Sequence, residues 1–285
     1  MEDEEKNIAE KEMSFLDHLE ELRWHVVRSG IAIIVLAIVA FIRKDILFGI
    51  IIFGPSQSDF ITFQLLCEVG TKIGFDVLCI GEFPFVLINT EMVGQFTMHI
   101  TASLVAGIII AFPYIFWEFW RFISPGLYEK EKSVSKGAVF FVTLLFLLGV
   151  SFGYFVVSPL AVNFLANYSV DGTVANQIRI SSYVMSIVFI ILGSGILFQL
   201  PIVVYFTSKI GLVTPELMKT YRKHSIVVIF VLGAMITPPD PFSQIFIAVP
   251  LIGLYEISIL ISRNVQRKRL KKEALSLIKS DNNEV

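Results

Sequence analysis

Charge is scarce in this chain, and cysteine scarcer still. Only 17% of the residues are charged, against about a quarter in soluble domains, while 55% are hydrophobic. That balance excludes an ordinary water-soluble domain, because the apolar residues gather in long runs that signal a polytopic membrane protein. The two cysteines, Cys67 and Cys79, have no histidine nearby, so they do not complete a four-ligand metal site. The four histidines, His18, His25, His99 and His224, are scattered and form no H-E-x-x-H pair. A G-x-S-x-G elbow is missing, as is a glycine loop that would cradle phosphate. Hydrolase and nucleotide-driven pump readings are therefore disfavoured. Nothing points to a cofactor, a nucleic acid or an enzyme activity.

What is present is length of apolar chain. A span needs roughly 20 apolar residues to cross about 30 Å of hydrocarbon. Six stretches qualify as expected spans, at about 24–42, 92–116, 137–165, 183–206, 225–237 and 242–262. The fifth is short, gains support from its long neighbour across the "PPDP" turn, and should thin the bilayer locally. Basic residues collect on one side of this arrangement: Lys6, Lys11, Arg23 and Arg28, then Arg121, Lys130, Lys132 and Lys136, then Lys209, Lys219, Arg222 and Lys223, then the tail from Arg263 to Lys279. The other side holds only Arg43, Lys44, Lys72 and Arg179. Both termini are thus expected in the cytoplasm. Residues 1–23 form a cytoplasmic amphipathic segment, 24–262 the membrane domain and 263–285 a basic tail that contacts anionic lipid. The first 13 residues and the chain after about Lys272 are expected to be disordered. No cleavable signal is expected, because the first apolar run has acidic flanks and lacks a small-residue cleavage site.

The largest external piece is the loop 43–91, read as carrying two short β-prone runs, "FQLLCEVG" and "GFDVLCIGEFPF". Both cysteines lie in it, either as a disulfide staple or as two buried thiols.

Three features carry possible chemistry. In "SFLDHLEELR", residues 14–23, Leu16, Leu19 and Leu22 fall at helical spacing, which directs Asp17, Glu20 and Glu21 to water or to a cleft at headgroup level. Ser14 fits an N-cap, with Asp17 at the capping-box position. Spacing alone favours a solvated interfacial helix. In "FWRFISPGLYEKEK", residues 119–132, Ser124-Pro125-Gly126 ends a helix, and Glu131 is either a surface residue or an acceptor for a cationic ligand. The third feature is a set of polar groups near membrane depth: Gln199, Asp240 and Glu256. An intramembrane ionisable group is a functional candidate by default, although Asp240 falls in the "PPDP" turn. Pro113 and Pro201 should kink their spans.

Five stretches in order, "HLEELR", "FISPGLYEKEK", "GYFVVSPLAVNFL", "FQLPIVVYF" and "TPPDPFSQIFIAVPLIGLYEISILISR", resemble the TatC family, the large polytopic subunit of the twin-arginine protein translocase. The resemblance covers about residues 13–263. It implies an all-α integral membrane protein of six spans, concave and glove-like, in the bacterial inner membrane. It further implies a receptor for the twin-arginine signal peptides of folded proteins. Such a receptor works with small single-span subunits of TatA/TatB type, within a homo-oligomeric receptor complex and driven by the protonmotive force. The family's signal-binding acids map onto Glu21 and Glu131, with Arg23, Phe122, Pro125, Leu127 and Tyr128 as associated positions. Pro55 matches a functional proline of the first external loop. Gln199 stands where many members carry Glu at a site of partner contact, which removes a titratable group there. Asp240 and Glu256 fall on recurrent acidic positions. The competing reading is a proton- or ion-coupled transporter of small solutes, which would prefer inverted repeats and an ionisable cluster at midplane. No repeat is visible, and the acids concentrate at the cytoplasmic face.

Overall fold

The computed structural model describes residues 15–74, 79, 85–123, 135–169, 171, 176–237 and 241–281. The chain is almost wholly helical. Helix α1 is Phe15–Ile42, α2 Ile61–Ile73, α3 Gly94–Ile123 and α4 Ser135–Phe152. A π-helical turn, Gly153–Val157, leads into α5, Ser158–Asn167. Then follow α6 Ile180–Leu197, α7 Leu200–Ile210, α8 Pro215–Thr220, α9 Arg222–Ile236 and α10 Pro241–Asp281. Strands β1, Val86–Ile88, and β2, Gln177–Arg179, pair in parallel with Val86 opposite Gln177.

Among the described residues, five helical stretches are long and apolar enough to cross a bilayer: Glu20–Ile42, Gly94–Ile123, Val139–Asn167, Ile180–Ile210 and Ser243–Lys271. The protein is therefore a multi-pass membrane protein. The region read as the fifth span is α9. Its 15 residues reach about 22 Å as an α-helix, short of the hydrocarbon thickness.

The chain divides into two compact units, Met1–Leu47 with His99–Thr143, and Phe48–Met98 with Leu144–Val285. In the first, α1 and α3 touch through small residues. A Cβ on Gly107 would lie 2.8 Å from the Ala37 nitrogen and the Ile33 oxygen, so the two backbones approach as only glycine allows. The His99 ring stacks on Phe41 with centroids 3.9 Å apart.

In the second unit, Val157, Ala161, Ile190, Leu197, Ile229, Ile247, Ala248 and Leu251 form a buried core. Gly149 and Gly153, one helical turn apart, face α6. An added Cβ would lie 2.6 Å from the Ser194 oxygen at Gly149, and 2.9 Å from the Ile190 oxygen at Gly153. Pro159 stands in the first turn of α5 and has no N–H for the carbonyl of Phe155. The Thr62 hydroxyl of α2 donates to that carbonyl instead. The Ser158 hydroxyl donates to Gly153 O at 2.8 Å. Tyr154 and Tyr183 donate to Ile50 O and Ile52 O at 3.2 and 2.8 Å. Ile50 and Ile52 close a π-helical segment, Asp45–Ile52, whose last carbonyls are thus tied to the helices behind them.

Two expectations need correction, and the bend expected at Pro201 takes a particular form. "FQLLCEVG" is not β: it lies in α2, where Phe63, Leu66, Cys67 and Gly70 follow a helical period and form the less exposed face. Gly74 closes the helix at φ 80°, a conformation that suits glycine. Most of "GFDVLCIGEFPF" lies outside the described residues. The basic tail does not begin a disordered segment at Lys272, because α10 runs on to Asp281. The sequence "RNVQRKRLKKEALSLIK" contains strong helix formers and neither Gly nor Pro. The fourth span is broken at Phe198 and Gln199, where Gln199 O accepts from the amides of both Ile202 and Val203. Pro201 follows in the first turn of α7, where a missing N–H costs nothing.

Candidate functional site

Residues spaced three or four apart share one face of a helix. On α1 that face carries Glu21, His25 and Arg28, and on α3 it carries Tyr114, Glu118 and Phe122. The two faces meet. His25 is 5% exposed and Glu118 only 1%. The Nδ1 atom of His25 makes a short hydrogen bond to Glu118 Oε2. Tyr114 donates its hydroxyl to Glu118 Oε1 at 2.8 Å. The Arg28 guanidinium lies 4.0 Å from Glu118 Oε2, and the Phe122 ring stands edge-on to His25 with centroids 6.0 Å apart. Buried charges persist when they are paired and hydrogen-bonded, and Glu118 has both kinds of partner.

Glu21 lies at the outer edge of this group. Its side chain is 36% exposed, and its Oε1 sits 3.8 Å from His25 Nε2. The other oxygen, Oε2, makes no hydrogen bond among the described residues. Glu20, next to it, is exposed. The result is a half-buried carboxylate with one oxygen lying beside His25 and the other buried without a hydrogen bond among the described residues, in a setting drier than bulk water. It can accept a cationic donor more strongly than an exposed surface acid, whose pairs contribute about 0–1 kcal/mol.

The residues expected from the sequence fall unevenly. Glu21 and Phe122 come together around His25. Arg23 is exposed on α1. Glu131, Pro125, Leu127, Tyr128 and Asp240 lie outside the described residues, as does Ser14. Pro55 is buried, next to Gly54, which the Tyr154 and Phe60 side chains crowd. Cys67 and Cys79 are joined by a disulfide. Gln199 marks the break between α6 and α7. Glu256 is held by Arg222 through two contacts, Nε to Oε1 and Nη2 to Oε2. This bidentate pair gives the acid in the last span a local partner. Exchanging the two charges, as Arg222→Glu with Glu256→Arg, is expected to restore the yield of monodisperse protein that either single change lowers. Single variants that purify as well as the parent would contradict that pairing.

Glu118 went unpredicted. The expected second span stopped at residue 116, so the acid appeared to lie beyond it. The available signal was a lone carboxylate inside the aromatic run "YIFWEFW", four residues from a tyrosine. Among the described residues there is no cluster of His, Cys, Asp and Glu able to hold a metal ion.

Known proteins are similar to this chain in sequence and fold. A family profile described as Sec-independent protein translocase protein (TatC) matches residues 17–250. A Sec-independent protein translocase protein TatC from Blattabacterium sp. subsp. Periplaneta americana is 38% identical, over 90% of this chain and 98% of that protein. The Helicobacter pylori J99 protein of the same description is 46% identical, over 71% of this chain and 85% of its own. A crystal structure described as the twin arginine translocase receptor TatC in DDM superposes with a TM-score of 0.68. It has 33% identity and covers 86% of this chain and 99% of that one.

Proposed function

The chain belongs to the Sec-independent protein translocase (TatC) family, and on that premise we propose that it is the signal-peptide receptor of a twin-arginine export system. The observation that supports this most directly is Glu21, a partly exposed carboxylate with one buried oxygen left without a hydrogen bond among the described residues, next to the His25 ring that Phe122 packs against. Paired arginines call for two carboxylates, and each pair can be bidentate, a geometry that lysine does not reproduce. Glu131 supplies the second acid, and Phe122 or Tyr128 stacks on a guanidinium. Arg23, Pro125 and Leu127 shape the surrounding surface.

In this reading the protein crosses the bacterial inner membrane six times, with α9 as the short fifth span and both termini in the cytoplasm. It assembles with further copies of itself and with small single-span subunits. Gln199, at the break in the fourth span, contributes a polar contact to one of them, and the protonmotive force drives the cargo across. Asp240 sits on the external side of the last hairpin.

The test is site-specific crosslinking of the purified protein to labelled signal peptides. A twin-arginine peptide should crosslink, a twin-lysine peptide should not, and Glu131→Ala should abolish the product while leaving expression intact. Equal crosslinking of both peptides would sink the receptor assignment.

A further inference from the structure

The acid that the expected spans overlooked bears on how this site works. Glu118 is too deeply buried, at 1% exposure, to meet a peptide itself. It is, however, fixed from three directions: by the Tyr114 hydroxyl at 2.8 Å, by His25 Nδ1 and by Arg28 at 4.0 Å. A buried carboxylate so held is a rigid anchor on α3. Accepting from Nδ1 fixes which ring nitrogen of His25 carries its hydrogen towards Glu118, and so turns Nε2 outward. Phe122, edge-on to the ring, limits its rotation. Nε2 then packs against Glu21 Oε1 at 3.8 Å, a contact rather than a hydrogen bond, while Oε2 is buried and makes no hydrogen bond among the described residues.

We infer that Glu118 and His25 are positioning residues for the acidic site: through them the Glu21 carboxylate is held in one orientation, and that orientation sets the preference for arginine over lysine. The reasoning is geometric. A free glutamate samples several rotamers, and fixing it costs conformational entropy at the moment of binding. A guanidinium needs two acceptor directions at fixed separation, so it gains from a carboxylate already fixed. An ammonium is a compact charge with three rotatable donors and gains little. Loss of the anchor should therefore weaken arginine binding more than lysine binding.

This inference rests on the receptor reading, and one experiment separates the two. The full-length protein in phospholipid nanodiscs is titrated with fluorescent twin-arginine and twin-lysine peptides, as parent, Glu118→Gln, Tyr114→Phe, Glu21→Ala and Glu21→Ala with Glu118→Gln. Glu118→Gln should weaken the twin-arginine peptide by about tenfold and the twin-lysine peptide by less, narrowing the ratio between them. In the Glu21→Ala background the same change should do nothing more, since it acts through Glu21. Tyr114→Phe, which removes a single hydroxyl, should shift the ratio in the same direction by a smaller factor, and it decides the matter if Glu118→Gln does not fold. An unchanged ratio in both variants, or additive losses in the double variant, overturns the positioning inference and leaves the receptor reading intact. Parent-like binding by Glu21→Ala overturns the receptor reading, and this inference with it.

Discussion

Replacing Gly149 by leucine should leave α4 unable to close on α6, and the purified protein should lose its single folded species. A Cβ at this position already meets the Ser194 carbonyl oxygen at 2.6 Å, the Phe198 Cβ at 2.8 Å and the Gly195 Cα at 2.9 Å. Two of those atoms are backbone, so no side-chain rotation relieves the clash. Alanine alone should cost about 1–3 kcal/mol, the ordinary range for overpacking. Leucine adds three more carbons in the same direction and forces the helices apart over several turns. The cost spreads to Gly153, whose Cβ would lie 2.9 Å from Ile190 O. In a bilayer, helices associate through close packing rather than through expulsion of water, so nothing else compensates. Fluorescence-detected size-exclusion and a thermal melt in detergent would read the effect. A Gly149→Leu protein that melts with the parent would show that α4 and α6 do not pack as closely as described.

Reversing the charge at Glu21 should have the largest effect on peptide capture. Hydrogen bonds to charged groups contribute about 1.5–3 kcal/mol, so Glu21→Ala should weaken a twin-arginine peptide roughly tenfold to a hundredfold. Glu21→Lys goes further. It removes the acceptor and places a cation beside His25 and Arg28, which repels an incoming arginine. Binding should fall below detection, and export of a folded twin-arginine reporter should stop, while the melting behaviour changes little because position 21 is half exposed. Retained export by the Glu21→Lys protein would remove Glu21 from the site.

The helical membrane class was legible because a span must satisfy all its backbone groups internally, which forces long apolar runs onto the sequence. Boundaries were less legible. Nothing in the composition separates the 198–199 break from its apolar flanks except Pro201, and a proline near membrane depth reads as a kink before it reads as the first turn of a new helix. The α2 helix was missed for another reason. "FQLLCEVG" is short, mostly apolar and ends at a glycine, so helix and strand periods fit it almost equally well. Only Phe63, Leu66, Cys67 and Gly70, taken together, decide it. Glu21 stood out because an acid beside an apolar run is conspicuous. Glu118 did not, because His25 is 93 residues away in sequence and a pairing across helices leaves no local pattern beyond the tyrosine one turn before it. His25 was noticed as an isolated histidine, and only the crossing of α1 and α3 shows what it touches.

The proline in α5 bears on the order of assembly during synthesis. Pro159 frees the Phe155 carbonyl, and Thr62 of α2 takes it. The donor leaves the ribosome 93 residues before its acceptor, an interval of roughly 5–20 s at ordinary elongation rates. Throughout that time α2 has no docking point. Cys67 and Cys79, only 12 residues apart, need no later part of the chain to find each other. The staple can therefore close on an undocked segment, before the third span exists to receive the loop.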